Sequence, residues 1–332
     1  MAGGLPWSFY RGQWSALPPA PEGHYLKGKI VVVTGATSGL GLEASKQFAD
    51  ASPEQLIFAV RSVEAGEKLL EQIQKTHPNL KGKVMYLDLM DLQSIKDFSE
   101  AIKVFGRVDI LINNAGINPS FDKRPYQSTK DGYERVFQTN VLSPILTTLL
   151  LLPLLKKSID PKVIFTGSEV HHVAPSHLIE SSIDNGQSIL DAYNDEEKYF
   201  NPTRYFESKL LLQMLTRNLI KALPDITIIN VNPGLAMTNL GREFNRKLSL
   251  SGIVGILWFV VNARTASKGA RNLTSATAWQ GGSQDYWSGC VPAASENTFL
   301  YSGKGYTATR VFYDEMLKEV EKISPGCTAN LQ

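Results

Sequence analysis

Short runs of apolar residues, most of them β-branched, alternate along the chain with longer stretches whose apolar positions recur every three or four residues. The run at 29–33, a lysine followed by Ile30, Val31, Val32 and Val33, has no polar alternation. Such a strand is covered on both faces, as in a parallel sheet. Further strands are predicted at 56–60, 84–87, 108–112, 163–166 and 226–231, with a short last one at 298–301 before the Ser302-Gly303 turn. Helices are predicted at 42–49, 64–76, 93–105, 128–156, 203–223, 266–278 and 309–323, the tail beyond them being loose. In 203–223, Leu210, Leu211, Met214, Leu215 and Leu219 share one face, and Pro144 predicts a kink in 128–156.

The chain has 332 residues, enough for one large α/β domain, and no linker divides it. A formal net charge of +2 gives no electrostatic reason to expect nucleic acid or an anionic membrane as partner. Residues 1–21 contain Trp7, Trp14 and four prolines but no continuous apolar core, so they do not read as a signal peptide. The apolar stretches 146–155 and 253–261 are too short to span a bilayer. The two cysteines, Cys290 and Cys327, have no metal or redox spacing, which fits a reducing, cytoplasmic setting. His171, His172 and His177 match no zinc signature; no metal is expected, one of them lining the pocket is a second reading, and partly exposed loop histidines are the simplest.

Two stretches carry chemistry. After the first strand come Gly35, Thr37, Ser38, Gly39, Leu40 and Gly41, leading into a helix. Glycines there allow the backbone to approach a pyrophosphate at the helix N-terminus, where free N–H groups favour anions. At the head of 203–223, Tyr205 and Lys209 lie four residues apart on one helix face. A free phenol titrates near ~10, and a neighbouring ammonium would make it acidic enough to exchange protons at working pH. Tyrosine and lysine at this spacing also occur by chance, as a surface pair.

Thr34-Gly35-Ala36-Thr37-Ser38-Gly39-Leu40-Gly41, Asn113-Asn114-Ala115-Gly116 and Tyr205-Phe206-Glu207-Ser208-Lys209 occur in this order. Together they resemble the classical short-chain dehydrogenase/reductase family over about residues 28–303. The resemblance implies one doubly wound Rossmann-type α/β domain with a mainly parallel sheet of about seven strands. It implies Asn140, Ser168, Tyr205 and Lys209 as the catalytic set. In that set Asn140 holds a water through its main chain, Ser168 bonds the substrate oxygen, and Lys209 also binds the nicotinamide ribose. Asp88 would accept from the adenine amino group beside the Leu89 backbone, unless it only caps the next helix. Asn113, Ala115 and Gly116 would press on the cofactor ribose, Pro233 and Gly234 would pass the nicotinamide, and Thr238 would bond its carboxamide or the pyrophosphate.

The second strand ends in Val60-Arg61-Ser62, where dinucleotide folds commonly carry an acid for the ribose. A guanidinium there favours a 2′-phosphate, so NADP(H) is expected over NAD(H), read by Arg61 with help from Ser62. The function implied is reduction of a ketone or aldehyde, or the reverse oxidation. The strand end and long substrate half look most like the retinol-dehydrogenase-like and carbonyl-reductase branches. Residues 239–262 match the variable substrate lid, and their Ile253, Ile256, Leu257, Trp258 and Phe259 suit a lipid, retinoid, steroid or polyketide-type substrate, a membrane surface or helix core. The interval 176–202 is longer than the family pattern and polar, and reads as a surface loop at the pocket rim. Homodimers through 128–156 and 203–223 are common in relatives. Two alternatives stay open: a non-redox epimerase, dehydratase or cyclase on the same fold, and a catalytically silent cofactor-binding scaffold.

Overall fold

The computed structural model of the chain describes residues 7–119, 125–238 and 258–331. Its centre is an eight-stranded sheet in the order β10-β9-β6-β5-β4-β1-β2-β3. Here β1 is Ile30–Thr34, β2 Gln55–Val60, β3 Gly82–Tyr86, β4 Ile110–Asn113, β5 Lys162–Thr166 and β6 Thr227–Asn232. β9 (Gln284–Ser288) joins β6 in parallel, and β10 (Val291–Pro292) closes the edge antiparallel. The chain leaves β1 to build β2 and β3 on one side and β4, β5 and β6 on the other. That reversal makes β1 and β4 the switch point, where ligands of such sheets bind at the carboxyl ends of the strands. A separate pair joins β7 (Ala236–Met237) to β8 (Arg264–Thr265).

Helices cover both faces, which is why the strands need no polar side. One layer contains Phe48, Leu69 and Leu273; the other contains Phe98, Leu149, Leu211 and Phe312. The helix Arg135–Leu155 is long and apolar enough to cross a bilayer, but most of it is buried in the second layer, as core helices are. It begins later than residue 128, because Glu134 accepts from the N–H groups of Val136 and Phe137 and caps it. Residues Gln138–Leu142 form a π turn, and the regular helix resumes at Ser143 with Pro144 in its first turn.

Three sequence expectations fail. Residues 298–301 form a 3₁₀ turn in place of a strand, the last strands among the described residues being β9 and β10, and Leu300 packs into the core. The helix expected from 309 starts at Gly303, and the tail is not loose: Cys327–Leu331 makes a further turn with Cys327 buried. Residues 176–202 are not a surface loop. They hold helices His177–Asp184 and Ile189–Asn194, which bury Ile179, Ile189 and Tyr193. Glu315 of the Gly303–Ile323 helix accepts from the Ile189 and Leu190 N–H groups at 3.2 and 2.9 Å. The polar composition hid a few large apolar residues aimed at one partner. The Gly303–Ile323 helix also lies on Asn201–Ala222, with Asn218 Nδ2 donating to the Thr309 carbonyl at 2.9 Å, and Phe312 reaches Phe137. The two helices expected to pair in a dimer thus both contact the chain's own C-terminal helix.

Candidate active site

The glycine turn runs from β1 into the helix Gly39–Asp50. Gly35 and Gly39 have φ of +68° and +56°, a region costly for other residues. A methyl group on Gly41 would stand 2.4 Å from the Gly35 carbonyl oxygen and 2.5 Å from Asn114 Nδ2. Ser38 occupies the N-cap position without bonding the helix's own N–H groups. Those donors face outward at the positive end of the helix dipole. Bare backbone, free donors and no acidic side chain fit the pyrophosphate of a dinucleotide.

Thr34, which sequence reasoning did not single out, fastens this turn to the next one. Its Oγ1 accepts from the N–H groups of Asn114 and Ala115, each at 3.0 Å, and donates to the Ile112 carbonyl. Asn113 Nδ2 donates to Thr148 Oγ1 at 3.0 Å, tying β4 to the long helix.

Arg61 is exposed at the end of β2 and makes no hydrogen bond or ion pair with the described residues. Ser62 caps the Val63–Thr76 helix by accepting from the Ala65 N–H, so its hydroxyl already has a task. Asp88 does not cap the following helix. That role falls to Asp91, which accepts from Gln93 and Ser94, while Asp88 Oδ1 accepts only from Met90 in its own turn. Leu89 is buried, and its carbonyl accepts from Ser143 Oγ.

Asn140, Ser168, Tyr205 and Lys209 are brought together at the carboxyl ends of β4 and β5. The Asn140 side chain grips the backbone of Ile117 in both directions: Oδ1 accepts its N–H and Nδ2 donates to its carbonyl, both at 2.9 Å. Nδ2 also reaches Ser208 Oγ at 3.1 Å. A methyl on Gly116 would meet Asn140 Oδ1 at 3.1 Å and Lys209 Nζ at 3.9 Å, so these three crowd one spot. Lys209 Nζ donates to the Thr166 carbonyl at 2.8 Å and lies 5.6 Å from the centre of the Tyr205 ring.

Tyr205 is 7% exposed, and its hydroxyl meets that of Ser168. Its helix is anchored at the first turn by Arg204, sandwiched between the rings of Tyr193 and Tyr199 and 3.8 Å from Glu207. Burial pushes the phenol up to about 12, and the bond from Ser168 only partly offsets this. Burial likewise brings Lys209 down to about 8. The phenol is thus raised, not lowered as expected beside a lysine, and the cause is burial. A phenol so placed keeps its proton and is arranged to give it.

Ser168 precedes the turn Glu169–Val173. His171 is buried, not an exposed loop residue, and bonds the Ser168 carbonyl through Nδ1 and Ser295 Oγ through Nε2, at 2.6 and 2.7 Å. Burial holds it neutral, at about 3. His172 and Tyr286 stack around it and His177 is exposed, so the three histidines do not converge. No metal cluster occurs among the described residues. Asn232, also missed, accepts from both the Glu169 and Gly234 N–H groups, at 3.1 and 3.0 Å. It links the serine turn to Pro233-Gly234. A lone asparagine before Pro-Gly was its only signal. Thr238 packs on Gly39, while lid residues 239–257 lie outside the described residues.

A family model described as short chain dehydrogenase matches residues 29–179. A short chain dehydrogenase of Arthrobotrys oligospora is 30% identical over 326 residues, spanning 93% of this chain and 97% of the relative. A short chain dehydrogenase/reductase of a Cryptosporiopsis species is 30% identical over 327 residues, spanning 94% and 96%. Among solved structures, salutaridine reductase from Papaver somniferum aligns with a TM-score of 0.58 at 21% identity, over 78% of this chain and 98% of that one. The NADP complex of RhlG from Pseudomonas aeruginosa aligns with a TM-score of 0.59 at 22% identity, over 77% and 91%.

Proposed function

The chain belongs to the short-chain dehydrogenase/reductase family of nicotinamide-dependent oxidoreductases, and on that premise we propose that it reduces an apolar ketone or aldehyde with NADPH, or oxidises the matching alcohol. The observation that carries the reading is the buried Tyr205 hydroxyl against Ser168, with Lys209 behind it. When bound, the dinucleotide supplies or takes the hydride. Gly35, Gly39 and Gly41 would receive its pyrophosphate and Arg61 its 2′-phosphate, Arg61 having no competing partner among the described residues.

Ser168 and Tyr205 both present hydroxyls to the reacting oxygen, where two donors stabilise developing negative charge. Tyr205 holds its proton until that charge appears, then gives it up. Lys209, the nearest cation, becomes the compensating charge once the phenolate forms. Asn140 positions this relay by clamping Ile117 beside it. Support for an apolar substrate comes from Trp258, Val260 and Val261, exposed at the end of the lid stretch. A panel of apolar ketones and aldehydes, followed by NADPH absorbance and product chirality, tests the reading. One NADPH consumed per alcohol formed is expected; product without cofactor consumption would place the chain among non-redox enzymes.

A further inference from the structure

The helix Trp7–Trp14 precedes the stretch matched by the family model, yet it reaches the edge of the cleft. Trp7 and Trp14 are exposed and Phe9 is buried, while Gln13 is only 4% exposed. Its amide pairs with the main chain of Leu235 as a neighbouring strand would: Oε1 accepts the N–H at 3.0 Å and Nε2 donates to the carbonyl at 2.7 Å. The same carbonyl accepts from the Arg264 N–H at 2.8 Å. The Arg264 guanidinium then takes carbonyls at the end of the helix, that of Gly12 and, at 3.1 Å, that of Gln13, and the Ser15 carbonyl just beyond it at 3.2 Å. Trp14 Nε1 bonds Asn262 Oδ1 at 3.1 Å, and Phe9 stacks on Trp258.

What Gln13 grips is the connection between two parts of the site. At one end Asn232 joins Gly234 to the turn after Ser168; at the other, Thr238 rests on Gly39. Residues 233–238 thus bridge from the serine to the glycine turn, and Gln13 holds them near their middle. A methyl on Gly234 would stand 2.9 Å from Gln13 Oε1, so the helix lies close against this bridge.

We propose that Gln13 is a positioning residue of the cofactor site: through Leu235 it fixes the segment that flanks the nicotinamide half of the dinucleotide. The proposal rests on the NADPH reading above. Its mark is a loss confined to that half. In the full chain, Gln13→Ala should weaken NADPH binding about tenfold, followed by fluorescence titration, while leaving affinity for 2′,5′-ADP, which lacks nicotinamide, within twofold. Gln13→Met, of similar volume and without the amide, should do the same and serves should the alanine variant fold poorly. Trp14→Phe loosens the helix without touching Leu235 and should leave both affinities within twofold. Equal losses for NADPH and 2′,5′-ADP, or a matching NADPH loss in Trp14→Phe, would reduce Gln13 to general support and overturn the assignment. Unchanged NADPH binding in both Gln13 variants overturns it too. A wild-type chain that binds no NADPH at all sinks the parent reading instead, and this one with it.

Discussion

The two sides of the cleft are made by different means. On the side of β1, β2 and β4, the surface around the glycine turn is main chain, with Arg61 as the charged side chain at its rim: glycines with no room for a methyl at Gly41, helix N–H groups left free by Ser38, and a threonine that spends its hydroxyl fastening turns. On the side that follows β5, the lining is ionisable side chains taken out of water. Tyr205 is raised, Lys209 and His171 are lowered, and burial moves the Glu169 carboxyl up to about 7. A pyrophosphate is met by geometry that any proton count leaves intact. A carbonyl that gains a hydride needs a proton held ready, so that side carries the desolvation cost.

The comparison can be broken most directly at the phenol. Tyr205→Phe should cut turnover by about a thousandfold while NADPH affinity stays within a few-fold, because only the proton donor is lost. Undiminished turnover would remove Tyr205 from the mechanism. On the opposite side, Gly41→Ala drives a methyl into the Gly35 carbonyl and should cost about 1–3 kcal/mol of stability and at least about tenfold in cofactor affinity. Normal NADPH titration with an unaltered melting curve would mean the turn is not close-fitting.

A smaller effect is expected at the rim. Arg61→Asp replaces a bidentate donor with a like charge and should shift the ratio of kcat/KM for NADPH over NADH by about tenfold or more toward NADH. An unchanged ratio would leave the 2′-phosphate without its reader.

The smallest concerns Glu169. Its folded pKa lies above the ordinary value, so the native state binds more protons than the unfolded chain between about 4.5 and about 7. Stability from this residue is present at low pH and lost as pH rises through that window. Glu169→Gln should therefore gain about 2 °C in Tm at pH 8 and close to nothing at pH 5. A gain of equal size at both pH values would show that burial, not charge, is what the wild-type carboxyl suffers from.

Local chemistry alone determined much of this protein. β-branched runs demand a sheet covered on both faces, and glycines at 35, 39 and 41 demand a close backbone approach. Tyr205 and Lys209 share a helix face whatever surrounds them. Those requirements act within a few residues, so the positions of the first strands, the glycine turn and the helix that carries Tyr205 were legible in the sequence. What only the tertiary structure decided is set by partners far away in the chain. Residues 176–202 became packed helices because Glu315 and the Gly303–Ile323 helix receive them. Gln13 found Leu235 more than two hundred positions away, and His171 went under cover against Ser295. The pKa of Tyr205 belongs to the same class. Spacing puts a cation near the phenol, but how much water the fold removes sets the direction in which the phenol moves.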